Sequence, residues 1–178
     1  PNRYYLSSYL HKSLQKSDVE NTPVALLFID FDRFKIINDT LGHTFGDKVL
    51  ERVSTEMEAC LKEEDFLARY AGDEFIVILD NGSPARAAEV AGNIIKRFSD
   101  SLKIEGQIIN TTPSIGISFY PMDADDIEAL LKNADIAMYQ AKAQGRNNFQ
   151  FYKPDMHFQF TQKIEMEGAL RKALQNDE

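Results

Sequence analysis

The run Val24-Ala25-Leu26-Leu27-Phe28-Ile29 constrains this chain more than any other segment. Consecutive apolar residues put hydrophobic side chains on both faces of an extended backbone, which is the pattern of a central buried strand rather than of an edge. Pro23 precedes the run and Asp30 ends it abruptly. The first strand is therefore read as 24–29.

Helical spacing surrounds it. Leu6, Tyr9, Leu10 and Leu14 mark a first amphipathic helix from Arg3. Arg33–Leu41 is helical in character and stops at Gly42, and a second helix capped by Thr44 carries Phe45, Val49, Val53, Met57 and Cys60 as far as Lys62. Phe66–Tyr70 and Phe75–Leu79 read as strands around Ala71-Gly72-Asp73-Glu74, where a glycine followed by one residue suits a two-residue type II′ hairpin turn. Ser83-Pro84 is a cap followed by proline in the first helical turn, and Ala87, Ala91, Ile94, Ile95, Phe98 and Leu102 form the buried stripe behind it.

Further strand is expected at Ile108–Ile109 and over Thr112–Tyr120, broken by Pro113 and Gly116. Asp125 with Glu128 resembles a capping box for a helix carrying Ile127, Leu130, Leu131, Ala134, Met138 and Ala141 to Gly145, and Phe149–Tyr152 is a last short strand. Helices interleaved with mainly antiparallel strands indicate an α+β fold, a central sheet flanked by helices. Residues 1–153 form the domain. Pro154 opens a polar, mostly helical linker over 154–178, in which Phe158, Phe160, Ile164 and Leu170 could face a neighbour.

Composition narrows the function classes. A net charge of −8 and a pI near 4.9 argue against binding a nucleic-acid polymer. A small phosphorylated ligand stays compatible if a divalent cation stands between it and the acidic residues. The single cysteine, Cys60, rules out a disulfide framework or a thiolate zinc site and is expected to be a small buried hydrophobe. No apolar stretch approaches the roughly 20 residues that span a bilayer, so no membrane contact is expected of this segment.

Three local features can carry chemistry. Asp30 and Asp32 bracket Phe31, and period-two geometry aims both carboxylates to one side, where a hard cation would suit them; equally, they could mark where a buried strand meets water. The hairpin presents Asp73 and Glu74 beside Gly72, which lets a phosphate or backbone approach closely, although acidic turns also form for conformational reasons alone. Lys142 and Arg146, four apart at a helix end, could grip a polyphosphate or simply meet the helix dipole.

Together these segments are far more specific. FIDFDRFKIINDTLGH from Phe28 to His43, Gly46-Asp47, RYAGDEF from Arg69 to Phe75, Ser114-Ile-Gly116 and AKAQGRN from Ala141 to Asn147 stand in the order of the GGDEF family of diguanylate cyclases, which the chain resembles from Pro1 to about Tyr152. Pro1-Asn2-Arg3 resembles the end of that family's opening motif, as in an excised fragment.

The resemblance implies a fold similar to nucleotide cyclases and polymerase palms, with a ferredoxin-like core. It implies condensation of two GTP molecules to cyclic di-GMP with loss of two pyrophosphates, across a homodimer of domains. By the same match Asp30, Asp73 and the Phe31 carbonyl would bind two Mg²⁺ ions per GTP, with Mn²⁺ as a possible substitute, and Glu74 would support the metals or the reacting hydroxyl. Asn38 and Asp47 would hydrogen-bond guanine; Lys35, Lys142 and Arg146 would hold the β- and γ-phosphates; Arg33, Phe34 and Gly72 would complete the substrate site. The need for GTP implies a cytoplasmic location, whether or not the parent protein is membrane-anchored.

Two positions depart from the family pattern. Ala71 stands where the signature has its first glycine, a restriction if that position needs positive φ. Lys62, with Asp65, stands where many members carry the arginine of an inhibitory product site; an ammonium lacks the planar fork of a guanidinium, so weak or absent product inhibition is expected. Leu170–Leu174 resembles the helix that often leads into an EAL-type phosphodiesterase domain, which motivates a second reading: a GTP-binding module that regulates an attached phosphodiesterase without cyclising GTP. A dimerisation domain that binds no nucleotide leaves Asn38, Asp47, Lys142 and Arg146 without a purpose.

Overall fold

In a computed structural model, which describes residues 3–159, 161, 162 and 166, β1 (Val24–Phe31) is the centre of a five-stranded sheet. Its alternate residues serve two cores. Ala25, Leu27, Ile29 and Phe31 pack on one face, and Val24, Leu26 and Phe28 on the other. The strand runs two residues beyond the expected end, because Asp30 and Phe31 continue in register with Ser114 and Pro113. Charge on a side chain does not stop a strand whose backbone still finds partners.

The elements before and after follow in order: α1 (Arg3–Glu20), α2 (Phe34–Leu41), α3 (His43–Glu58), β2 (Phe66–Ala71), β3 (Glu74–Leu79), α4 (Pro84–Arg97), β4 (Leu102–Ile104), β5 (Gln107–Ile109), β6 (Pro113–Tyr120), α5 (Ile127–Ala143) and β7 (Phe149–Phe151). The large sheet has the order β2-β3-β1-β6-β7, antiparallel except for the β6–β7 pair, and β4–β5 is a separate hairpin. The order β2-β3-β1-β6 is that of a βαββαβ ferredoxin-like core. Helices α2 to α4 cover one face through Phe34, Val49, Val53, Met57, Ala91 and Ile94. Helices α1 and α5 cover the other through Leu6, Leu10, Leu14, Leu130, Ala134 and Met138.

Several local expectations are corrected. Thr44 does not cap α3: the helix begins one residue earlier, at His43, after the positive-φ Gly42, with no side-chain cap. The same helix ends at Glu58, and Cys60 falls in the tightened turns beyond it, half-buried, its thiol pushed above the usual range chiefly by desolvation. Asp126, not Asp125, caps α5, accepting from the Ala129 amide at 2.7 Å. Leu102 belongs to β4 rather than to the α4 stripe; it is buried either way, and burial alone does not distinguish helix from strand. Ser83 does cap α4, accepting from the Arg86 amide.

Gly116 does not break β6. It permits a close helix–sheet approach, since a Cβ there would lie 2.0 Å from the Ala134 carbonyl oxygen and 2.1 Å from the Met138 nitrogen. That contact seats α5 on the sheet and so fixes Lys142 in its last turn. Residues 154–159 are helical and Met156 is buried against Ile136 and Ala137 of α5, while Phe158 is exposed. The expected contacts of Phe160, Ile164 and Leu170, and the Leu170–Leu174 helix, lie outside the described residues. No helix among the described residues is long and apolar enough to cross a membrane.

Candidate active site

The end of β1 brings carboxylates together. Phe31 anchors it: its ring is fully buried, edge-on to Phe75 and Phe98. Asp30 therefore lies on the opposite face, toward α5, where Lys142 Nζ stands 2.7 Å from its Oδ1. Glu74 is the direct cross-strand partner of Asp30, and the Phe31 amide donates to the Asp73 carbonyl oxygen at 3.4 Å. One strand end and one hairpin turn thus hold Asp30, Asp73 and Glu74 as neighbours.

Their electrostatics are those of crowded acids. Desolvation raises the Asp30 carboxyl above its ordinary range; the Lys142 bond and charge oppose this, while Asp73 and Asp32 add to it. Glu74 is also raised, first by desolvation, then by Asp30, Asp135 and Asp73, with Lys142 opposing. One lysine cannot neutralise this group, and its donors are hard oxygens, so the set fits Mg²⁺ or Mn²⁺ better than zinc. Among the described residues no three His, Cys, Asp or Glu side chains stand grouped closely enough to hold a metal as they are, and Lys142 supplies the counter-charge to Asp30.

On the other side of the turn a cleft of ≈ 520 Å³ is lined by Phe34, Lys35, Asn38, Asp47, Gly72 and Asp73. Helices α2 and α3 and the hairpin turn contribute these residues, so sequence-distant members of the expected site share one cavity. The Asn38 amide is seated by Gly46: a Cβ there would fall 1.9 Å from Asn38 Oδ1. Gly72 has φ 46 and space around its missing Cβ, so backbone conformation is the reason for glycine at that position. Ala71 is an exposed strand residue paired with Glu74 and is not among the positive-φ residues, so its methyl group meets no backbone penalty.

Other expected site residues fall elsewhere. Arg33, left-handed at φ 61, precedes α2 and is exposed outside the cleft lining. Arg146 lies beyond α5, its Nε 3.7 Å from Asp32 Oδ1. Asp32 does not join a cation pair with Asp30, because its oxygens accept from Thr112, Ser114 and Asn147. At the degenerate product site, Asp65 accepts from the Lys62 amide (2.9 Å) and pairs with Arg86 (2.5 Å), and its side chain is inaccessible to solvent.

Two residues were not anticipated. Arg69 donates to the Gly72 carbonyl oxygen (2.8 Å) and reaches Asp47 at 3.8 Å, tying turn to cleft wall. Asp135 adds negative charge beside Glu74, and desolvation raises its own carboxyl. Asp135 precedes Lys142 by two helical turns, a spacing that places both on one face of α5 and that could have flagged it.

Comparison with known proteins places the fold and site among relatives. The family described as "Diguanylate cyclase, GGDEF domain" matches residues 1–148. The chain is 37% identical over 177 residues, 99% of its length, to the cyclic di-GMP phosphodiesterase NbdA of Pseudomonas aeruginosa, and 37% identical over 98% of its length to the bifunctional diguanylate cyclase/cyclic di-GMP phosphodiesterase MucR of the same organism. It spans only 23% and 26% of those proteins. The crystal structure of the GGDEF domain of TpbB (YfiN), also from P. aeruginosa, superposes with a TM-score of 0.83 at 41% identity, covering 86% of this chain and 96% of that one.

Proposed function

Since the chain belongs to the GGDEF domain family of diguanylate cyclases, we propose that it joins two GTP molecules into cyclic di-GMP. In each half-reaction a ribose 3′-hydroxyl oxygen forms a bond to the α-phosphorus of the facing GTP, the bond between the α-phosphorus and its bridging oxygen to the β-phosphate breaks, pyrophosphate leaves and the hydroxyl proton is released. The cleft that unites Asn38 and Asp47 with Gly72 and Asp73, beside the Asp30–Lys142 pair, is the observation that carries this reading.

Asn38 and Asp47 bond the guanine edge, where a carboxylate accepts from N–H groups that adenine does not present in that pattern. Asp30, Asp73 and the Phe31 carbonyl would hold Mg²⁺, which would lower the pKa of the hydroxyl and neutralise charge developing on the phosphates. Lys142 leaves Asp30 for the β- and γ-phosphates, joined by Lys35 and Arg146, and Glu74 supports the reacting hydroxyl. Each domain binds one GTP, so two domains must face each other, and a cytoplasmic GTP supply is required.

The test is product formation from GTP and Mg²⁺ by the concentrated chain and by a fusion to a dimerising coiled coil, followed by chromatography and mass spectrometry. Cyclic di-GMP that disappears with Asp73→Ala is the expected result. Absence of product from both forms, with GTP still bound, would sink the cyclase reading.

A second reading has its own support: the match to NbdA and MucR extends through residues 154–178, whereas the match to the diguanylate cyclase TpbB covers 83% of the chain. In that reading the domain binds GTP and controls a downstream EAL phosphodiesterase. Hydrolysis of cyclic di-GMP by the tandem protein, unchanged by saturating GTP, would exclude it.

A further inference from the structure

Asp32, the second carboxylate of the Asp30-Phe31-Asp32 triplet, has no part in the reaction above, yet it is among the most engaged side chains in the fold. The residue is 6% exposed. Its Oδ1 accepts from Ser114 Oγ at 2.9 Å and lies 3.7 Å from Arg146 Nε; its Oδ2 accepts from Thr112 Oγ1 at 2.8 Å and from the Asn147 amide at 3.3 Å. Its backbone donates to the Thr112 carbonyl oxygen (2.8 Å) and accepts from Thr111 Oγ1 (3.2 Å).

We propose that Asp32 is a positioning residue that holds Arg146 and the loop after α5 in place to grip a polyphosphate, coupling that loop to the strand end bearing Asp30 and Phe31. This rests on the GTP-binding reading. Arg146 and Asn147 are consecutive non-glycine residues at φ 64 and 50, a conformation such residues rarely adopt unless the surroundings impose it. Asn148 contributes, donating to the Ala141 and Arg146 carbonyl oxygens. Among the described residues Asp32 is the anionic acceptor of this loop, and it reaches both the Asn147 amide and the Arg146 guanidinium.

The chemistry requires a carboxylate. Thr112 and Ser114 hydroxyls can rotate, but the Asn147 N–H and the guanidinium are donors only. They address different oxygens of Asp32. An asparagine in either orientation would turn its NH₂ against one of them.

Asp32→Asn in the full chain is therefore an isosteric probe. With Mg²⁺ present, calorimetric titration should show GTP bound roughly ten-fold more weakly and GMP bound as before, because the lost contact serves the outer phosphates. In an Arg146→Ala background the same change should add less than about two-fold, since both act through one group. Equal weakening of GTP and GMP, or full additivity with Arg146→Ala, would overturn the proposal in favour of a purely structural role.

Amide exchange of Asn147 tests the tether without nucleotide: slow exchange in the native chain, accelerated by Asp32→Asn, supports it, and an Asn147 amide indifferent to the change refutes it. If the native chain binds GMP as tightly as GTP, the phosphate roles of Lys142 and Arg146 fail, while the exchange result still decides the tether. Should Asp32→Asn not fold, Thr112→Val removes one donor from Oδ2 and keeps the carboxylate; about a three-fold loss confined to GTP is expected. An unchanged GTP-to-GMP ratio then counts against the proposal.

Discussion

The two halves of the candidate site differ in how they are built. The half assigned to the base is an open cleft of ≈ 520 Å³, with Asp47 exposed on α3 and Asn38 seated by the absent side chain of Gly46. Of the half assigned to phosphates and metal, Lys35 and Asp73 also line that cleft, but Lys142 is paired with Asp30 and Arg146 stands beside Asp32. Exposed recognition groups, Asp47 among them, can wait in water at little cost, whereas half-buried charges need counter-charges before the ligand arrives. The first half is preformed by shape, and the second is held by charge pairs, of which Lys142 with Asp30 must part.

Lys142→Met attacks the second half and should have the largest effect. It removes a phosphate ligand and leaves Asp30 without its counter-charge; product formation should fall on the order of 100-fold, as for loss of one transition-state donor. Turnover within a few-fold of the native chain would break the contrast. Gly46→Ala attacks the first half. The new methyl must displace Asn38, and GTP affinity should drop about ten-fold with the weak affinity for ATP unchanged, read by competition titration. Equal loss for both nucleotides would mean that the cleft does not read the base.

A smaller effect concerns the product. Because Asp65 is buried against Arg86 and the Lys62 amide, cyclic di-GMP should inhibit weakly or not at all through this patch. A submicromolar complex contacting Lys62 and Asp65 would refute that. The smallest effect is on pH. Asp30 and Glu74 have raised folded-state values, so their contribution to stability is complete below the ordinary carboxylate range and is lost as pH rises through the raised values. The melting temperature of the metal-free chain should rise slightly as pH is lowered through the raised values toward the ordinary carboxylate range, and the rise should shrink in Glu74→Gln. An equal rise in the variant would assign the effect to other groups.

Much of this was legible in the sequence. The doubly apolar run, the glycine of the hairpin and the serine–proline start of α4 act within a few residues, where conformational preference and hydrophobic period decide the outcome. Boundaries set by backbone pairing were less legible, which is why β1 runs past Asp30 and the cap of α5 moves from Asp125 to Asp126. Gly116 reads as a strand breaker locally and becomes an asset only when α5 lies across it.

The site shows the same division. The sequence by itself determined which residue types stand in family order, and hence the resemblance, the strand-end carboxylate, the acidic turn and the cations after α5. Only the tertiary structure decided which aspartate of the Asp30-Phe31-Asp32 triplet stays available: Asp32 is consumed by donors 80 to 115 residues away, and Asp30 is left facing one lysine. It also decided that Ala71 sits in strand without a positive φ, that Arg69 links Asp47 to the turn, and that Asp135 crowds Glu74. A side chain's intrinsic chemistry belongs to its residue type, but its charge balance, free lone pairs and room to move depend on neighbours that the chain brings together only by folding.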